Sequence, residues 1–335
     1  LRIVVWFIIL AVCGHSYAHS SELLLLDILV TENQEQRIVA IGERGHVVHL
    51  DNAHATQKRD VVGVEPMLTA ITQSPSGRLW AVGHQSIIVY SDDSGRSWHK
   101  SYQPNNLNPL LDVEFIDDNH GIAIGAYGLF YRTRDAGRNW TQEYHIGLLP
   151  EEDQAYLLEI KEASEADYLF ELSAILPHLN QLKRVGSNLY LVGELGLFAV
   201  SYDNGRSWQR IEIPYYGSLY EIAYAQQQLF IGGMRGSIFR FAHIDGQISG
   251  RGEKISISEP VNINKILLFG SNNWLIVGNS QSVWVLAKDN REATVQYKVK
   301  SKVITSAVVT QDRENILVTG ERGVEIISLQ KLSQE

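Results

Sequence analysis

The sequence predicts an all-β chain wound as a seven-bladed β-propeller, with a helical insert between blades 3 and 4. Three observations carry that reading. A short apolar run ends in glycine, turns a G-x-x-G corner and continues as a second apolar run. This pattern recurs seven times, its first glycine at Gly42, Gly83, Gly125, Gly193, Gly233, Gly278 and Gly320, with Ser86 and Gln281 standing for the second glycine in two copies. The spacings are 41, 42, 68, 40, 45 and 42 residues, and several strands per repeat of ~40–50 residues build a propeller rather than a two-sheet sandwich. In three copies the second run leads into a polar turn of constant spacing closed by tryptophan.

Taken in order, residues 1–18 have the form of an export leader. Arg2 is the positive end, Ile3 to Val12 is an apolar run of ten, and Ser16-Tyr17-Ala18 has the small-x-small form of a cleavage site. The run is too short to span a bilayer. Cys13 is the one cysteine; bulky Val12 before it fits a lipoprotein anchor poorly. Cleavage after Ala18, export to the periplasm and a mature chain without disulfide or thiol are therefore expected. Residues 19–335 are expected to form the propeller, which is long enough to bury most of its surface. Without Arg2 the net charge is −10, which argues against a nucleic-acid partner.

Each repeat reads as four strands, innermost first. The first has 25–30, 38–41, 47–50 and 60–64; the second 68–72, 79–82, 87–90 and an outer strand starting near Trp98. The third has 111–115, 121–124, 129–132 and 140–143; the fourth 179–182, 189–192, 197–200 and 208–211. The fifth has 219–223, 229–231, 237–241 and 255–258; the sixth 263–268, 274–277, 283–286 and 295–299. The seventh has 304–309, 316–318 and 324–327, with little chain left for an outer strand. Both termini must take part in ring closure, since an unpaired edge is a liability.

The 68-residue interval breaks the rhythm. Pro150-Glu151-Glu152-Asp153 opens a helix, because proline fits the first turn and acids complement the helix dipole. Tyr168, Leu172, Ile175 and Leu176 continue with helical spacing to Pro177. Residues 151–171 hold eight acids and one lysine. The acidic insert over 148–177 is either a solvated helical hairpin packed on the propeller or an acidic docking element or lid.

The polar turns are Ser91-x-Asp93-x-Gly95-x-x-Trp98, Thr133-x-Asp135-x-Gly137-x-x-Trp140 and Ser201-x-Asp203-x-Gly205-x-x-Trp208. They resemble the Asp-box of sialidase-like propellers. Asp and Ser or Thr bond backbone N–H groups inside a tight turn, and glycine supplies positive φ, so these residues read as structural, with the tryptophan covering the seam between strands.

The seven corners are expected on one face around the central channel, opposite the Asp-box turns. Arg44, His84, Tyr127, Glu194, Arg235 and Arg322 on those corners are the candidate partner-binding residues. The inner strands add Asp27, Thr69, Asp112, Asn180, Tyr220, Asn264 and Thr305. A mixed ring with tyrosine and arginine suits recognition. A sialidase reading would need Arg44, Arg235 and Arg322 to converge near Tyr127 or Tyr220. The R-I-P motif that leads sialidases is absent, however, and the blade count is seven rather than six. No HExxH, CxxC, P-loop, GxSxG or His-Asp metal spacing occurs. No catalytic residue, cofactor or metal is expected, and the chain reads as a monomeric binding scaffold.

Seven blades, the V/I-x-G-x-x-G-x-[IL] corner and interrupted Asp-boxes together resemble the Ycf48/Hcf136 family of photosystem II stability and assembly factors. The resemblance covers residues 25–328. It implies a non-enzymatic propeller of the periplasm or thylakoid lumen that binds a membrane-protein intermediate through an arginine-rich face. This chain departs in its mixed corner charges and acidic insert. Similar chains of non-photosynthetic bacteria, with an insert before an H-L-N strand (here His178-Leu179-Asn180), tend to accompany RND-type envelope exporters. The resemblance therefore implies an accessory role on an envelope complex, or on photosystem II itself in a photosynthetic source.

Overall fold

The structure, a computed structural model, describes residues 23–32, 37–50, 58–61 and 65–332. The expected leader, Cys13 and the cleavage site lie outside the described residues. Six four-stranded and one three-stranded antiparallel sheets follow one another, each running from innermost to outermost strand in chain order. The inner strands touch in sequence around a ring, and the seventh touches the first. The second strand of each blade is buried along its length, as in Gly121–Gly125 and Leu79–Gly83, with only Gln228 and Asn273 at the start of two of them partly exposed. Such strands lie between neighbouring blades, which is why they read as unbroken apolar runs rather than alternating ones.

All seven inner strands carry a register shift at the same place, between Leu25 and Asp27, Leu68 and Ala70, and the equivalent pair in the other five blades. The extra residue is Leu26, Thr69, Leu111, Asn180, Tyr220, Asn264 or Thr305. A bulge bends its strand and re-aims the side chains beside it. Here those side chains join blade to blade. Asp27 accepts from the Ile71 amide at 3.0 Å, and Thr69 donates to the Leu110 carbonyl at 2.7 Å. Asp112 accepts from the Leu182 amide at 2.8 Å, and Asn180 donates to the Leu219 carbonyl at 2.8 Å. Glu221 accepts from the Ile266 amide at 3.2 Å, and Asn264 donates to the Ile304 carbonyl at 2.7 Å. Thr305 closes the ring onto the Leu25 carbonyl at 2.7 Å. The inner-strand polar residues thus serve the channel wall.

Blade 7 has three strands, as its length suggests. Two elements differ from expectation. The outer strand of blade 5 is Gln247–Ile255, not 255–258. It pairs directly with Ile238–Ile244 through Asp245-Gly246, both at positive φ (51° and 79°), the Asp-Gly signature of a tight hairpin. A short unexpected helix, Leu329–Leu332, follows blade 7 and buries both leucines against Phe269, Val283 and Val299. The outer strand of blade 1 is Lys58–Val61, and 62–64 lie outside the described residues.

The insert forms two helices between blades 3 and 4. The first, α1, is Glu151–Ala163, with Pro150 at its N-cap and three acids in its first turn. The second, α2, is Glu165–Ile175, capped by Ser164, whose Oγ accepts from the Asp167 amide at 3.2 Å. Leu157, Tyr168, Leu172 and Leu176 share a core with Ile122, Ile124, Phe130, Leu182 and Trp208 of the two blades. At about 1.5–3 kcal/mol per buried large apolar side chain, this packing anchors the hairpin.

Candidate interaction face

The corners begin where the second strand ends. In all seven, a Cβ on the first glycine would lie 1.9–2.4 Å from the carbonyl oxygen just before the inner strand, such as Leu24 O for Gly42 and Asn262 O for Gly278. The next amide donates to that same oxygen, for example Ala126 N to Pro109 O at 3.0 Å. The following residue is the apex, and it takes a left-handed conformation: Arg44 (φ 54°), Gln85 (59°), Tyr127 (56°), Leu195 (55°) and Arg235 (54°). All five apices are exposed, as are His84 and Arg322.

The acids one residue earlier behave differently. Glu43 accepts from the Leu24 amide at 3.2 Å. Glu194 accepts from the His178 amide at 3.3 Å and faces the His178 ring at 3.5 Å. Glu321 accepts from the Val303 amide at 3.0 Å. These carboxylates turn back onto their own blade while the apices point outward. The arginines Arg44, Arg235 and Arg322 stand on blades 1, 5 and 7, and Tyr127 on blade 3, its ring edge-on to His178 at 4.6 Å.

In blades 2 to 5 the residue after the apex ties the corner to the loop leaving its blade. Ser86 donates to the Asn108 carbonyl (3.0 Å), Gly128 to Pro177 (2.9 Å), Gly196 to Gly217 (3.0 Å) and Gly236 to Val261 (2.6 Å). Corner and inter-blade loop therefore form one surface. Its apolar content is the part that sequence reading missed. Among the described residues, the five most exposed large apolar side chains are Tyr216 (87%), Leu107 (80%), Phe170 (70%), Leu195 (67%) and Tyr127 (59%). Leu107 and Tyr216 sit on the inter-blade loops beside corners 2 and 4, and Phe170 is on α2. Leu195 was legible in principle, because it holds the same apex position as Arg44, Tyr127 and Arg235.

The Asp-box turns occupy the opposite face and satisfy themselves. Asp203 accepts from the Ser207 amide (2.9 Å), the Ser207 hydroxyl (2.7 Å) and the Ser201 hydroxyl (2.8 Å). Slight burial opposes ionisation there, but these hydrogen bonds prevail and hold its carboxyl at about 2. Asp93 has the same set from Ser97 and Ser91, and Asp135 is lowered by the Asn139 side chain and amide first. The turns also join blades, and the tryptophan seals that seam rather than the seam between strands. Arg132 of blade 3 donates to the Asn204 and Gly205 carbonyls at 2.9 and 2.7 Å. Trp140 packs edge-on to Trp80 and Phe115, and its Nε1 donates to Ser101 at 3.1 Å.

Among the described residues no three His, Cys, Asp or Glu side chains are grouped to hold a metal. No helix among them is long and apolar enough to cross a membrane.

No family model matches the chain. Among curated proteins, the photosystem II assembly lipoprotein Ycf48 of Prochlorococcus marinus is 41% identical over 49 residues, covering 15% of this chain and 14% of that protein. Among solved structures, Ycf48 from Cyanidioschyzon merolae superposes with a TM-score of 0.69 at 12% identity, over 93% of this chain and 97% of that one. Ycf48 bound to D1 peptide gives 0.63 at 13%, over 92% of each chain. The Cps50 (Swd1) propeller domain of Myceliophteria thermophila gives 0.68 at 11%, over 91% and 97%. At these identities the superpositions establish the fold, and the short curated match bears the Ycf48 name. The chain is a seven-bladed β-propeller similar in fold to Ycf48.

Proposed function

We propose that the chain is an exported, non-enzymatic accessory propeller that binds a membrane-protein complex of the cell envelope through its corner face. The observation that carries the reading is the placement of the five most exposed large apolar side chains on the corners, the loops bonded to them and the insert. Aromatic and arginine side chains are the usual energetic anchors of protein contacts. Arg44, Arg235 and Arg322 supply charge, and His84 a polar ring, on the remaining sector of that face, while Glu194 orients its own corner. That a propeller of this fold carries a D1 peptide in Ycf48 supports a peptide segment of a membrane protein as the contact. The resemblance to chains with an insert before an H-L-N strand supports an envelope complex such as an RND-type exporter as the partner. In a photosynthetic source the same face would serve photosystem II assembly. A sialidase-like activity is disfavoured by the absence of the R-I-P motif and by the seven-bladed ring.

The test is a pull-down from envelope extract with four folded variants. Arg44→Ala with Arg235→Ala and Arg322→Ala, and Tyr127→Ser with Leu195→Ser, should each release the partner. Deletion of 150–176 behind a short Gly-Ser bridge should weaken capture. Arg96→Ala with Arg138→Ala and Arg206→Ala on the Asp-box face should leave it intact; loss in this control alone would assign the opposite face.

A further inference from the structure

The second insert helix is apolar on two opposite sides. At 100° per residue, Tyr168, Leu172 and Ile175 form one stripe and pack inward. Ala166, Leu169, Phe170 and Ala174, spaced i, i+3, i+4 and i+8, form a second stripe about 180° away, and all four are exposed. Phe170 is 70% and Leu169 43% exposed. A hairpin whose outer side faced only water would carry polar residues there. The outer stripe is instead flanked by carboxylates, Glu165 along one side and Asp167 and Glu171 along the other. On α1, Tyr156 and Leu158 are also exposed. Lys161, the single base over 151–171, pairs with Glu165 at 3.9 Å and lies over the Tyr168 ring at 4.7 Å.

We infer that the outer face of α2 is a docking site for a basic amphipathic helix of a partner protein, with Phe170 and Leu169 as its apolar anchors and the flanking acids as its charge contacts. The inference rests on the proposed corner-face binding and deepens it by naming the chemistry of one contact. An apolar stripe at i, i+3, i+4 spacing is how one helix seats against another. Charge selects among occupants: a second copy would bring eight acids against eight, and an anionic lipid surface would be repelled in the same way. A lysine- or arginine-rimmed helix meets both the stripe and its rim.

The experiment uses the full mature chain and a fluorescent 18-residue Lys/Leu amphipathic peptide, with a Glu/Leu peptide of the same pattern and phosphatidylglycerol vesicles as comparison probes. The Lys/Leu peptide should bind, weaken as salt is raised, and lose at least about tenfold in affinity with Leu169→Ser plus Phe170→Ser. The loss should be similar with Glu165→Gln, Asp167→Asn and Glu171→Gln combined. Apart from half-buried Glu171, both sets change exposed residues, and circular dichroism checks that each variant is folded. Ile244→Ser, exposed on the opposite face, should not alter binding. Equal binding of the Glu/Leu peptide, vesicle binding lost with Phe170→Ser, a dimer dissolved by Phe170→Ser, or a Lys/Leu affinity indifferent to that change would each overturn the assignment. The broader reading fails separately: a native partner kept after deletion of 150–176 but lost with the corner variants sinks the helix site and leaves the corner face standing.

Discussion

Replacing Gly125 by alanine would set a methyl 2.3 Å from the Pro109 carbonyl oxygen, although its φ of −170° is ordinary extended backbone. The corner glycine is therefore required by close approach, since that carbonyl must also take the Ala126 amide. Two residues on, the demand reverses: Arg235 has room but sits at φ 54°, a region that costs side-chain-bearing residues roughly 1–2 kcal/mol. We expect Gly125→Ala to lose about 2–3 kcal/mol of stability, a backbone overpacking that side-chain repacking cannot relieve. Arg235→Gly should stay within about 1 kcal/mol of the parent or exceed it, because relief of strain offsets the added chain entropy. Urea titration of the two variants measures both. A neutral Gly125→Ala would mean the corner shifts to accept a side chain.

At the scale of the element, the Asp-box turn is a connector between blades. In blade 4 the Asp203 carboxylate organises the turn whose carbonyls receive buried Arg132. Asp203→Ala should cost about 1–2 kcal/mol, the usual loss when a turn carboxylate is removed from backbone amides. Because the folded carboxyl titrates at about 2, below its ordinary value of 3.8, its contribution is present above pH 4 and is lost as pH falls towards 2. Thermal melts at pH 7, 4 and 2.5 should show the gap between parent and variant closing only at the acid end. Elements of this kind were readable from sequence because their residues act locally: the S/T-x-D-x-G-x-x-W spacing, the Pro and acids that open α1, and the glycine closing each second strand. The rest was not readable because its cause is non-local. Asp245-Gly246 is a strong hairpin signal, yet the strand after it alternates weakly, and only pairing with Ile238–Ile244 defines Gln247–Ile255. Likewise Leu107 and Tyr216 look like ordinary apolar residues until the loops bonded to corners 2 and 4 leave them in solvent.

Across the whole molecule, the ring closes through side chains and packing among the described residues, with no strand of blade 1 entering the sheet of blade 7. The seam between blades 7 and 1 is held by Thr305 on Leu25 and by Ser306 on Asp27 at 2.8 Å, the same device as at the other six seams. The cost is a channel wall carrying buried Glu221 beside half-buried Lys265, Asp112 and Glu114. Lys265 lies 3.7 Å from Glu221, which together with burial, Asp27 and Asp112 sets its ionisation, and the net effect is to hold the amine above the ordinary lysine range. Asp112 is pushed up to about 8, chiefly by burial and further by Glu114 and Asp27, against the opposing hydrogen bonds from Leu182 and Val113. Glu114 rises to about 7 for the same leading reason, with Lys183 and Arg184 opposing. A carboxyl whose folded value is raised binds more protons in the native than in the unfolded state between its two titration points, so stability declines as pH rises through that window. From Asp112 and Glu114 the native ring should lose stability from about pH 5 to pH 8 and then level off, opposite in sense to the Asp-box carboxylates at the acid end. Asp112→Asn keeps an oxygen for the Leu182 amide but cannot ionise. Calorimetric melts between pH 5 and 8 should therefore show a flatter profile for the variant and a smaller deficit, or none, at pH 8 than at pH 5. A parallel displacement of the whole curve would mean that Asp112 is already ionised in the native channel and acts there purely as an acceptor.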